Sequence, residues 1–191
     1  MIAIAGLSFA AETPTLTRLN SVEGNLSTKN ISLFRMVDLF GFPGGINAAE
    51  VVKFKAPKPG WTLRQFSIVG YDGYNGTRES LPESQTIAFE IRDKDFNLLY
   101  RYADTQLPYT NFIKNSTKPV SMIFDLPPIP VSDEFYMLFF DRAAVGVLAE
   151  LNMQGNSSFY DQLEGMMYEA GIPAENNETI PINWVMSVAG N

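Results

Sequence analysis

The feature that most constrains this chain is its hydrophobic period, which is two almost everywhere. In "QTIAFEIR", residues 85–92, Ile87, Phe89 and Ile91 fall on one face and Ala88, Glu90 and Arg92 on the other. Side chains of an extended strand point alternately to opposite faces, so this pattern buries one side of a strand and leaves the other available to solvent. The alternation returns at Val52, Phe54, Ala56; at Leu98, Tyr100, Tyr102; and at Val120, Met122, Phe124. It returns again at Val145, Val147, Ala149, Leu151 and at Ile182, Trp184, Met186, Val188. "FYMLFF", 135–140, is apolar on both faces and reads as a central strand. The 12 Pro and 14 Gly break these runs at short intervals, as in "APKPGW", "DLPPIP" and "GFPGG". No helical period of useful length competes. "DQLEGMMYEAG", Asp161 to Gly171, carries a Gly in its middle and reads either as a short helix or as a hairpin.

About nine or ten short strands separated by turns predict an all-β protein: an antiparallel two-sheet β-sandwich with jelly-roll topology. At 191 residues and 46% hydrophobic content, one domain over residues 12–191 is expected. Within it, the polar stretch 12–30 reads as an edge strand or a linker. Residues 1–11, "MIAIAGLSFAA", hold an apolar run with small residues at Ser8 and Ala10 but no basic start. They read as a signal-peptide remnant or as a first strand. No stretch reaches the ~20 apolar residues of a membrane-spanning helix, so no direct membrane insertion is expected.

The net charge of −7 argues against nucleic-acid partners and against an anionic membrane surface. The chain has no Cys and no His. Thiolate chemistry and disulfides are therefore excluded, and the usual general base and commonest metal ligand are missing. Carboxylate pairs, Ser-Lys or Tyr arrangements are what remain for catalysis. Glu90, Asp125, Asp141 and Glu150 sit at strand positions with nothing to distinguish them, and the expectation is a non-enzyme. Asp141-Arg142, after the apolar strand, reads as a structural ion pair.

Six Asn-x-Ser/Thr sequons occur, at Asn25, Asn30, Asn75, Asn115, Asn156 and Asn177. With 14 Asn and 24 Ser plus Thr, chance placement gives only ~2. N-glycosylation explains the excess, and polar loop composition is the alternative. Sequons without cysteine suit an extracellular, archaeal or bacterial surface protein, whose partners would be other cell-surface proteins or glycans.

The order of landmarks carries a resemblance. "VVKFKAPKPGWTLRQFSIVGYDG" is followed by "AFEIRDKDFNLLYRY", then "FDLPPIPVSDEFYMLFFD", a "GNSSFYD" stretch and "INWVMSVAG". This series, over residues 48–190, resembles the jelly-roll modules of secreted and cell-surface proteins, especially those of methanogenic archaea. That fold is shared with galactose-binding-like domains. The resemblance implies fold and compartment; its motifs are topological and bring no active site.

Two stretches are candidate sites. "VGYDGYNGTRES", 69–80, offers Tyr71 and Tyr74 beside Asp72, with Trp61, Tyr109 and Phe112 in other predicted loops. Aromatic faces stack on sugar C–H surfaces while acids accept hydroxyl protons, so together they would make a carbohydrate platform. The alternative is a glycine-rich, glycosylated turn. "DKDFN" spaces Asp93, Asp95 and Asn97 like the start of a calcium loop, so a structural calcium is the cofactor this pattern suits. It lacks the following Gly and downstream Glu, and a hairpin turn with Asn97 in the left-handed region is the alternative. Asp72, Glu79 and Asp104 are further loop acids for such an ion.

Overall fold

The computed structural model describes residues 15–41, 43–109, 118–174 and 178–191. In chain order the first strands are β1 (Thr17–Asn20), β2 (Ile31–Phe34), β3 (Ala48–Lys55), β4 (Thr62–Tyr71), β5 (Ile87–Asp93), β6 (Leu98–Asp104) and β7 (Val120–Pro130). They continue as β8 (Glu134–Phe140), β9 (Gly146–Leu151), β10 (Ser157–Asp161), β11 (Met166–Glu169), β12 (Gly171–Pro173), β13 (Thr179–Trp184) and β14 (Met186–Gly190). One short helix, α1 (Met36–Phe40), lies between β2 and β3. An eight-stranded sheet runs β1-β14-β4-β9-β13-β12, with β7 on β4 and β2 on β9. A six-stranded sheet runs β11-β10-β3-β8-β5-β6. All pairings are antiparallel and the sheets enclose one main core, which is the expected two-sheet sandwich.

The alternation read from the sequence sets the inner faces. Ile87, Phe89 and Ile91 are fully buried, and Phe89 sits 5.0 Å from Phe66 and 4.9 Å from Phe124 between ring centroids. Each such ring contributes roughly 1.5–3 kcal/mol through burial. β8 lies between β3 and β5 and is buried on both faces, as its uniformly apolar sequence predicts. Its outer side joins Ala49, Val51, Ala88, Leu138, Phe140 and Tyr160 in a second small cluster.

A residue of the β5–β6 turn helps cover that cluster. The left-handed residue is Phe96 (φ 66°) and not Asn97, a correction to the sequence expectation. This conformation turns the Phe96 ring back onto Tyr136 and Tyr160, 5.6 and 5.0 Å away, with the Arg92 guanidinium 4.7 Å from the ring centroid.

There are 14 strands among the described residues where nine or ten were expected. Edge strands β1, β2, β11 and β12 have three or four residues each, too few to display a period. The polar stretch 12–30 does contain the edge strand β1, and Asp161–Glu169 belongs to the β10–β11 hairpin, not a helix. The single run read at 182–188 is divided at Val185. The Val185 amide donates to the Leu148 carbonyl at 2.8 Å and its carbonyl accepts from Val69 at 3.1 Å. The chain thus passes from pairing with β9 to pairing with β4.

Candidate functional site

The tyrosine loop follows directly on β4, while Trp61 immediately precedes that strand. At ~3.3 Å per residue the ten-residue strand holds them roughly 33 Å apart. Trp61 is 0% exposed and packs 6.0 Å from Phe135. Its expected part in a carbohydrate platform is corrected: the ring belongs to the core. Tyr109 is 1% exposed, so it offers no open stacking face either. It does lie at the Asp72 end, where burial and then the charges of Asp72 and Asp104 push its phenol upward. Phe112 falls outside the described residues.

Tyr71, Asp72 and Tyr74 are half-buried. The Asp72 carboxylate accepts from the Tyr74 amide at 3.0 Å, closing the turn, and burial raises its carboxyl above the usual range. A recess of about 220 Å3 opens beside Tyr71 and Asp72, with Leu33, Arg35, Asp38 and Gly146 on its other walls. The Arg35 and Asp38 charges there are already paired with each other: Arg35 donates to both Asp38 oxygens, at 3.0 and 2.9 Å.

The Asp93 turn is held by its own donors. One Asp93 oxygen accepts from the amides of Asp95 and Asn97, both at 2.9 Å. The other accepts from Asn97 Nδ2 at 3.0 Å, and these bonds depress the Asp93 carboxyl. Asp95 pairs with Lys94 at 2.9 Å. Neither Asp95 nor Asn97 turns an oxygen toward Asp93, so the three side chains build a hairpin turn where a cation would need converging oxygens. Among the described residues no group of three or more acidic side chains is placed to hold a metal.

Asn25, Asn30, Asn75 and Asn156 are all exposed and lie outside strands. The Asn25 side-chain oxygen accepts from the Ser27 amide at 3.0 Å. That of Asn75 accepts from the Thr77 amide at 2.9 Å and the Ser80 hydroxyl at 2.7 Å. In both turns these bonds use the side-chain oxygen and not the amide nitrogen that would carry a glycan. Asn115 and Asn177 fall outside the described residues.

The four strand acids do not meet. Glu90, 2% exposed, is gripped by Arg92 at 2.6 Å and Arg101 at 2.5 Å. Asp125 accepts from Gln65 at 2.9 Å, and Glu150 pairs with Lys29 at 3.0 Å. Asp141 instead faces Glu50, an acid the sequence reading passed over; both are 0% exposed. The Asp141 carboxylate accepts from the Met36 amide at 2.6 Å, which opens α1, and from the Ala143 amide at 2.8 Å. No ion pair forms with Arg142, contrary to expectation, because Arg142 and Ala143 (φ 47° and 61°) turn the chain away. Glu50 has no donor of its own. Burial and then the Asp141 charge push its carboxyl well upward, while burial raises Asp141 to about 6. The anion belongs on Asp141, which has amide donors, and the shared proton on Glu50. The alternation of Val52 and Phe54, extended two residues back, places Glu50 on the core face and was the available signal.

No family model, curated protein or solved structure matches this chain. The site must therefore be judged on its chemistry alone. The Glu50–Asp141 pair is sealed from solvent, and Glu90, Asp125 and Glu150 are each paired on separate strands. What the surface does offer is a set of accessible amides and a polar groove of about 490 Å3 beside Asn156.

Proposed function

We propose that this chain is a non-catalytic structural or accessory module of an extracellular or cell-surface protein, carrying N-linked glycans. The observation that supports this best is the state of the sequons. All four described ones are exposed and outside strands, and the side-chain bonds at Asn25 and Asn75 use the oxygen. The withdrawal of Trp61 and Tyr109 into the core favours this over a carbohydrate-binding module. The resemblance to archaeal surface modules points the same way, and partners would be neighbouring surface proteins or glycans. Site-resolved glycopeptide mapping of the protein from its own host tests the reading. Occupancy at two or more of Asn25, Asn30, Asn75 and Asn156 is expected; unmodified peptides at all four overturn it. Oligosaccharide binding that Tyr71→Ala abolishes would replace it with the carbohydrate-binding reading, centred on the Tyr71–Asp72 recess.

A further inference from the structure

The groove beside Asn156 differs from the recess at Tyr71 in size, lining and neighbour. Its volume, about 490 Å3, falls in the ~300–1,000 Å3 range of small-molecule sites. Lys53, Tyr136, Gln154, Met167 and Glu169 line it, and so does Asn156 itself. This is an amphipathic wall. Tyr136 and Met167 offer surface to the C–H face of a pyranose, while the amide, carboxylate and ammonium groups suit its hydroxyls. The Tyr136 ring is held in place by Phe96, 5.6 Å away.

The backbone at the attachment point, just before β10, is pinned to its neighbours. The Asn156 carbonyl accepts from the Lys53 amide at 2.9 Å. The next residue is anchored inside: the Ser157 hydroxyl donates to Asn183 at 2.7 Å and accepts from the Trp184 amide at 2.9 Å. On the other side Gly155 lies so close to Asn183 that a Cβ there would sit 2.6 Å from its carboxamide. Asn75, by contrast, is bonded only within its own turn.

We infer that the groove holds the inner sugars of a glycan carried on Asn156, which makes that glycan a packed part of the domain. The inference rests on the reading of Asn156 as a modified sequon. A sugar tethered at the rim of its own site binds at a high effective concentration, so individually weak contacts suffice.

The test uses the whole chain secreted from a host that adds oligomannose glycans. Peptide mapping first establishes occupancy at Asn75 and Asn156. Release by an oligomannose-specific endoglycosidase is then followed at each site, on native and on denatured protein. Release from native Asn156 is expected to be about tenfold slower than from Asn75, as for a seated form favoured by about 1.4 kcal/mol. The two rates should converge after denaturation. The double variant Gln154→Ala/Glu169→Ala, at two exposed positions, should bring the native Asn156 rate up to that of Asn75. An unmodified Asn156 overturns the glycosylation reading of that sequon. Occupancy with equal native rates overturns the groove alone, and so does slow release that the double variant leaves unchanged.

Discussion

Replacing Glu50 with Gln should flatten the dependence of stability on pH. Glu50 and Asp141 are both fully buried and both titrate above the ordinary carboxylate range. Their contribution to stability is therefore complete below about pH 4, where the unfolded acids are also protonated, and declines as pH rises. A proton that the folded pair keeps after the unfolded chain has released it costs about 1.4 kcal/mol per pH unit. Over whatever range Glu50 keeps its proton after the unfolded chain has lost it, stability falls at that slope. Glutamine has the same shape, carries no titratable proton and can donate an N–H to the Asp141 carboxylate. The variant should thus come closest to the natural protein near pH 5 and gain on it as pH rises toward 7, by up to about 1.4 kcal/mol per pH unit. Urea titrations at pH 5, 6 and 7 read this directly, since Trp61 and Trp184 are both fully buried and report unfolding by fluorescence. A variant whose stability runs parallel to that of the natural protein across this range would refute the shared proton.

Other substitutions probe the same frame. Asp141→Asn keeps the size but loses the charge that holds the Met36 and Ala143 amides, and should cost about 2–4 kcal/mol by denaturation at pH 7. Gly45→Ala brings a Cβ within 2.4 Å of the Val37 backbone, so α1 must shift, at about 1–3 kcal/mol. Combined with Asp141→Asn its effect should be less than additive, because both disturb the start of α1. Trp61→Phe should cost under about 1.5 kcal/mol, since the buried Trp61 indole N–H has no hydrogen-bond partner to lose. Trp184→Phe should cost more, because its Nε1 donates to the Ser158 carbonyl at 3.3 Å. Asp93→Ala should lower stability at neutral pH and weaken its decline in acid, as the depressed Asp93 carboxyl stabilises the fold only while ionised.

The long interior strands were legible because their side chains face two distinct environments. β5 alternates between apolar core residues and Ala88 and Glu90 on its outer face, which is also covered, and β8 is apolar and covered on both faces. Elements as short as β12 or α1 hold too few residues for a period and are set by what they pack against. The tyrosine stretch begins on the last residues of β4 and turns after Tyr71, and its supposed companions Trp61 and Tyr109 are buried. Whether Trp61 lies near Tyr71 depends on which end of β4 each occupies, and that requires the strand to be placed first. The acid pair shows the same limit. Glu50 could be assigned to the core face from its neighbours, yet its meeting with Asp141 requires the β3–β8 register, in which Glu50 lies opposite Phe139. At the Asp93 turn the residue types were read rightly as a turn. The conformational burden fell on Phe96 because a ring was needed over the outer cluster.

The change of partners at Val185 bears on how the chain can be made. The stretch from Thr179 to Gly190 pairs with β9 through Ile182–Trp184 and with β4 through Met186–Gly190, and it also receives β1. While the ribosome has yet to deliver it, β4 has an open edge along Phe66 and Ile68, whose partners are Val188 and Met186. Among the described strands β1 pairs only with β14, so it too lacks its partner until then. A nascent chain arrested before Thr179 therefore displays apolar strand edges that no earlier segment covers, a state prone to misassociation. Emergence of those twelve residues supplies partners to β1, β4, β9 and β12 together, so the eight-stranded sheet passes from open-edged to paired all at once.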